Sequence, residues 1–174
     1  MSVQDLHEEF EFRGIDPADP GEADEAVEIE QICFPPHEAC SEKDMKSRIK
    51  AAPELFLAAI HRKTGRMAGF LTGIATDERA FRDVFFTDVG THKPEGKNIM
   101  LLGLDVRPEY RSRGLGRELV SVYSKMARAR GKQRLVLTCS EDKVGMYTGF
   151  GFRDLGISAS EWGGESWHEM EKNL

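Results

Sequence analysis

The sequence predicts a single α/β domain, a mixed β-sheet with helices on both faces. Three observations carry that expectation. Residues 98–106 (N-I-M-L-L-G-L-D-V) are too apolar for a half-exposed strand, which puts them at the centre of a sheet. They lead into a glycine-containing turn that opens an amphipathic helix over 114–131. Two further apolar runs, 55–61 and 67–75, are joined by Thr64-Gly65 and read as a hairpin. With 174 residues, 40% of them hydrophobic, the chain is long enough to bury one core.

The remaining elements follow in order. Residues 1–9 are expected to be a flexible acidic N-terminus, and 10–14 a short strand. The turn cluster D-P-A-D-P-G at 16–21 precedes a helix over 22–34, where Ala23, Ala26, Ile29 and Cys33 recur at helical spacing. Pro35-Pro36 stops it, because proline lacks the N–H and restricts its predecessor. Ser41 followed by Asp44 has the form of an N-cap box opening a second helix to about residue 52. Residues 76–97 are polar and read as a long loop with one helical turn near Phe81. In the helix over 114–131, Leu115, Leu119, Val122 and Met126 form one stripe and the arginines the opposite face. A buried strand at 134–139, a short helix at 142–150 ended by Gly151, and strands at 152–157 and 166–172 complete the chain.

Charge is segregated within a net −6. Residues 1–30 hold one base against eleven acids, and residues 107–134 hold nine bases against two acids. A basic block of this density reads either as a solvated helix face or as an anion site. A nucleic-acid surface is disfavoured by the acidic whole. No run reaches the roughly 18 apolar residues that span a bilayer, and the acidic start lacks the features of a signal peptide. Three cysteines without a C-x-x-C pair support neither a disulfide framework nor a zinc ribbon. The expectation is a cytoplasmic protein that engages neither membrane nor nucleic acid.

The informative passage is L-D-V-R-P-E-Y-R-S-R-G-L-G-R-E-L at 104–119. A buried strand enters the turn Arg111-x-x-Gly114-x-Gly116, which opens a helix. Glycines let backbone approach a ligand without a Cβ clash, and a helix N-terminus offers unpaired N–H groups and about half a positive charge. Arg111, Arg113 and Arg117 can add charge-assisted contacts, so the passage reads as a pyrophosphate cradle. A dinucleotide fold would need G-x-G-x-x-G after its first strand, and here there are two glycines late in the chain.

This turn and helix, followed by L-T-C-S-E-D-K-V-G-M-Y-T-G-F-G-F at 137–152, resemble the GNAT superfamily of N-acetyltransferases over roughly residues 10–174. Within it the chain looks most like the serotonin (arylalkylamine) branch, on E-I-E-Q-I-C-F at 28–34, A-P-E-L at 52–55, H-K-P-E-G at 92–96, the Cys139 to Tyr147 spacing and Glu169-Met170. The resemblance implies a sheet of about seven strands with a splayed central pair, acetyl-coenzyme A as cosubstrate, and no metal. It also implies that Leu104, Asp105 and Val106 meet the pantetheine arm, with Arg111, Ser112, Arg113, Gly114, Leu115, Gly116 and Arg117 around the pyrophosphate. Tyr147 takes the role of general acid, since a phenol of pKa about 10 held close to a thiolate of about 8.5 can protonate it.

In one respect the chain departs from that branch. Two histidines alternate on the strand before the loop in the serotonin enzymes, and Met100 and Leu102 stand there in this chain. The acceptor's proton then falls to Glu30, His37, Glu38, Asp105, His168 or a chain of waters. Cys40 is expected to be a buried, inert thiol; residues 35–38 should form part of the acceptor wall, and Phe34, Trp162 and Trp167 an aromatic surface. The implied activity is acetyl transfer to a small primary amine, arylalkylamine-like or polyamine-like, by direct attack in a ternary complex. A protein N-terminus or lysine as acceptor, and a non-catalytic acyl-coenzyme A binding module, are the alternatives. A homodimer stays open.

Overall fold

The computed structural model describes all 174 residues. The segment expected to be a flexible end is instead a helix, α1 (Val3–Glu9). Ser2 accepts from the Asp5 amide while Asp5 accepts from the Ser2 amide, a reciprocal cap. Seven residues are too few to hold a helix alone in water. Tertiary contact supplies the rest: Leu6 is 3% exposed within the main core, and His7 lies 2.8 Å from Glu118.

Seven strands form one sheet: β1 (Phe10–Gly14), β2 (Phe56–His61), β3 (Met67–Thr76), β4 (Asn98–Val106), β5 (Arg134–Cys139), β6 (Arg153–Ile157) and β7 (His168–Asn173). Their order is β1-β2-β3-β4-β5-β7-β6, with every neighbouring pair antiparallel except β4 and β5. On one face lie α2 (Pro20–Cys33) and α3 (Glu42–Ala51), packed on Phe56 and Phe70 through Ile29 and Met45. On the other lies α5 (Leu115–Ala129), packed on Leu71 and Leu101. Between β3 and β4 the long connection carries one short helix, α4 (Val84–Thr87), and α6 (Val144–Gly149) follows β5.

Local chemistry explains the bounds. Asp19 caps α2 by accepting from the Gly21 amide, with Pro20 in the first turn, so the helix starts before the expected Glu22. Ser41 accepts from the Asp44 amide and opens α3, as its spacing predicts. The buried arc of α5 runs through Leu115, Leu119, Val120, Tyr123 and Ala127, with Val122 and Met126 at its margin. The sheet thus covers an arc rotated from the expected stripe.

Two features of β4 position the site. It pairs with β5 only through Asn98 to Met100, opposite Arg134 to Val136, and beyond that point the two strands diverge. The register with β3 also shifts, Thr72 facing Gly103 and Gly73 facing Leu101, which leaves Leu102 as an extra residue. This bulge turns Gly103 and Asp105 toward the α2 face, opposite Thr72 and Phe70.

Candidate active site

A single cavity of about 730 Å³ follows the divergence of β4 and β5. At one end lies the turn before α5. Its left-handed residues are Ser112 at φ 61° and Gly114 at φ 92°, and Gly114 caps α5 with no side-chain bond. The amides of the first helical turn are therefore free to meet an anion. Arg111, Ser112, Gly114, Leu115, Gly116 and Arg117 all line the cavity there.

The arginines divide. Arg117 Nη1 donates to the Gly149 carbonyl at 2.7 Å, and its guanidinium lies over the Phe150 ring. Arg111 Nε donates to the Val106 carbonyl at 2.9 Å, and its Nη2 to Cys33 Sγ at 3.3 Å. Arg113, placed by the resemblance with the pyrophosphate residues, turns away: its Nη1 lies 3.0 Å from Glu9 of α1, and it is absent from the cavity wall. The basic block of the sequence disperses in the same manner. Arg107 Nε is spent on the Met67 carbonyl, Lys132 on the carbonyls of Pro94 and Gly96, and Arg134 on Glu171.

Midway, the wall is strand backbone. The Arg107 amide donates to Ala68 on β3, so the two-residue period of a strand aims the amides of Leu104 and Val106 at the open side. Asp105, expected with them, points its side chain to the opposite face. Facing Leu104 across the gap are Leu137, Thr138 and Cys139 of β5. Tyr147 of α6 also lines the cavity, its ring edge-on to Phe150 and Phe152. Burial, with smaller contributions from Cys139 and Asp105, pushes its phenol, protonated at neutral pH in any case, further above the ordinary value.

The far end is aromatic. Phe34, Phe86, Trp162 and Trp167 line it, with Phe86 and Trp162 centroids 4.5 Å apart. Trp162 Nε1 donates to the Glu38 carbonyl and Trp167 Nε1 to the Trp162 carbonyl, which holds both indoles in place. Among the expected base candidates, Glu30 and Glu38 reach the cavity. His37 lies outside it between Glu38 and Glu165, and His168 pairs with Asp154 on β6. Met100 is buried among Ile74, Phe81 and Phe85, while Leu102 lines the cavity. Cys40 is buried away from the cavity, its thiol pushed up to about 12 by desolvation.

Residues 23–152 match the model of the Acetyltransferase (GNAT) family, three quarters of the chain. The chain belongs to that family. A relative from Bacillus subtilis (strain 168), named as the uncharacterised N-acetyltransferase YkwB, is 27% identical over 119 residues. That alignment covers 63% of this chain and 53% of the relative, so the chain spans about half the length of the curated relative it matches. Among solved structures, a GNAT-like decarboxylase, GphF, in complex with isobutyryl-CoA has a TM-score of 0.79 at 19% identity, covering 94% of this chain and 98% of that one. The putative acetyltransferase yncA from Salmonella typhimurium, with acetyl-CoA, has a TM-score of 0.63 at 18% identity, covering 95% and 94%. At these identities the likeness is one of fold. The findings support the GNAT superfamily and do not support the arylalkylamine branch.

Two residues of this GNAT site have no place in the motif. Phe86 sits in a polar connection without periodicity, where nothing marks it. Gly103 carried a usable signal, since a lone glycine inside an apolar strand marks a bulge or a close approach.

Proposed function

We propose that the protein transfers the acetyl group of acetyl-coenzyme A to a small primary amine in a ternary complex. The observation that carries this reading is the single cavity that joins an uncapped helix N-terminus, an open strand edge, a protonated phenol and an aromatic end. The acetyl-CoA and isobutyryl-CoA in the solved relatives support a coenzyme A thioester as the donor.

In this reading the amides of Leu115, Gly116 and Arg117 bind the pyrophosphate. The backbone of Leu104 and Val106 pairs with the pantetheine arm and aims the thioester into the gap. An amide there that bonds the thioester oxygen stabilises the charge developing on it during attack. The amine nitrogen attacks the carbonyl carbon, the C–S bond breaks, and Tyr147 protonates the departing thiolate.

The acceptor end favours a small amine over a peptide. Its indoles are fixed by hydrogen bonds and line the cavity's aromatic end. Aromatic faces and nearby carboxylates suit an ammonium group. The test is release of free thiol from acetyl-coenzyme A with a panel of polyamines, arylalkylamines, amino sugars and peptides. Release with one or more small amines is the expected result. Release with peptides alone supports the protein acceptor, and binding of acetyl-coenzyme A without any release supports the non-catalytic module.

A further inference from the structure

Beneath the aromatic end lies a buried group of charges that neither acetyl transfer nor folding explains by itself. Glu30 of α2 is 3% exposed, Asp105 of β4 is 0% exposed and Arg48 of α3 is 2% exposed. Neither oxygen of Asp105, nor Oε2 of Glu30, has a hydrogen-bond donor, and Nε and Nη1 of Arg48 have no acceptor. Arg48 Nη2 alone is used, donating to the Phe86 carbonyl at 2.7 Å. Unpaired buried charge is costly, and one proton shared between two adjacent carboxyls reduces the cost. The pair then carries one negative charge, facing the one positive charge of Arg48.

Gly103 connects this group to the cavity. A Cβ built there would lie 3.1 Å from Oδ1 of Asp105 and 3.8 Å from Oε2 of Glu30. A side chain there would press on Asp105, and Gly103 and Glu30 both line the cavity. Met100 and Leu102, by contrast, offer no proton acceptor.

We propose that Glu30, on the cavity wall beside Gly103, accepts the proton of the acceptor's ammonium group, with Asp105 and Arg48 as its positioning residues. The inference rests on the acetyl-transfer reading above. The proton balance closes without a further reactant. One ammonium proton passes to the carboxyl pair, and the nitrogen attacks the thioester carbon. The C–S bond breaks and the thiolate takes the phenolic proton of Tyr147. The second nitrogen proton restores that phenol, and the pair releases its extra proton to solvent. Burial raises the Glu30 carboxyl, opposed by the proton it shares with Asp105, by Arg48 and by the Cys40 amide. Burial, the Glu30 charge and the nearby Cys33 raise Asp105, opposed by Arg48. A raised carboxyl is better matched to an amine than an exposed one.

The experiment takes two primary amines from the thiol-release panel whose own pKa values differ, and follows kcat against pH. In the wild type the acidic limb is expected at the same pH for both amines, because it reports the enzyme's base. Glu30→Gln should lower kcat at least about a hundredfold with affinity for acetyl-coenzyme A retained, and its residual limb should follow the pKa of each amine. Glu30→Asp should restore part of the rate. Asp105→Asn should move the wild-type limb to higher pH by removing the acid that opposes the rise of Glu30. If thermal melting shows Glu30→Gln unfolded, the limb in the wild type and in Asp105→Asn decides. A wild-type limb that tracks the amine, or a Glu30→Gln enzyme with unchanged kcat and limb, overturns the proposal. Absence of thiol release by the wild type with every amine overturns the acetyl-transfer reading first, and the base with it.

Discussion

Tyr147 and the cysteines show what single residues contribute. The phenol lies in the cavity wall between two aromatic edges, and burial pushes it above its ordinary value. Tyr147→Phe should therefore lower kcat by on the order of a hundredfold, while acetyl-coenzyme A binds with unchanged affinity in calorimetry. A large loss of affinity at normal turnover would contradict the acid role. Desolvation holds the thiols of Cys40 and Cys139 up at about 12 and about 11, so neither is a nucleophile at neutral pH. Mass spectrometry after iodoacetamide treatment of the folded protein should find both unmodified. Tyr147 and Gly114 are legible in the sequence because each sits inside a short contiguous motif. The Glu30–Asp105 contact is not, since it joins residues far apart whose meeting depends on how α2 crosses β4.

Among the elements, the turn before α5 and the helix α1 depend on each other. Gly114 adopts φ 92°, which an L side chain occupies at a cost of roughly 1–2 kcal/mol. A Cβ there would meet Leu6 of α1 at 3.7 Å, so strain and blocked backbone approach, not a clash, are the expected damage. Gly114→Val should leave a folded protein whose melting temperature no longer rises with acetyl-coenzyme A. Leu6→Ala tests the other partner. Core Leu→Ala changes cost about 2–5 kcal/mol, and a terminal helix that can fray should fall near the low end, read as a reduced denaturant midpoint. The sequence of α1 reads as an acidic tail because its one buried apolar residue gives no periodicity, and its stability comes from Leu6 entering the main core and from His7 and Glu9 reaching Glu118 and Arg113 of distant segments.

For the molecule as a whole, the buried carboxyls set function against stability. The folded-state value of Asp105 lies well above its ordinary 3.8. The folded protein therefore binds this proton more tightly than the unfolded chain, so its contribution is full below about 3.8 and is lost as pH rises through the raised value. Asp105→Asn should melt higher than the wild type at pH 8, and the difference should shrink toward pH 4. An equal difference at both pH values would contradict the buried, raised carboxyl. The bounds of β1, β4 and β5, the glycine turn at the head of α5 and the family were all readable from residue order, because periodicity, caps and a contiguous turn motif are local properties. Tertiary structure alone decided that Arg113 leaves the turn before α5 for Glu9, that Phe86 joins the aromatic wall, and that Glu30, Asp105 and Arg48 share one buried space. Charge pairing and burial depend on distances through space between segments that the chain order does not place together.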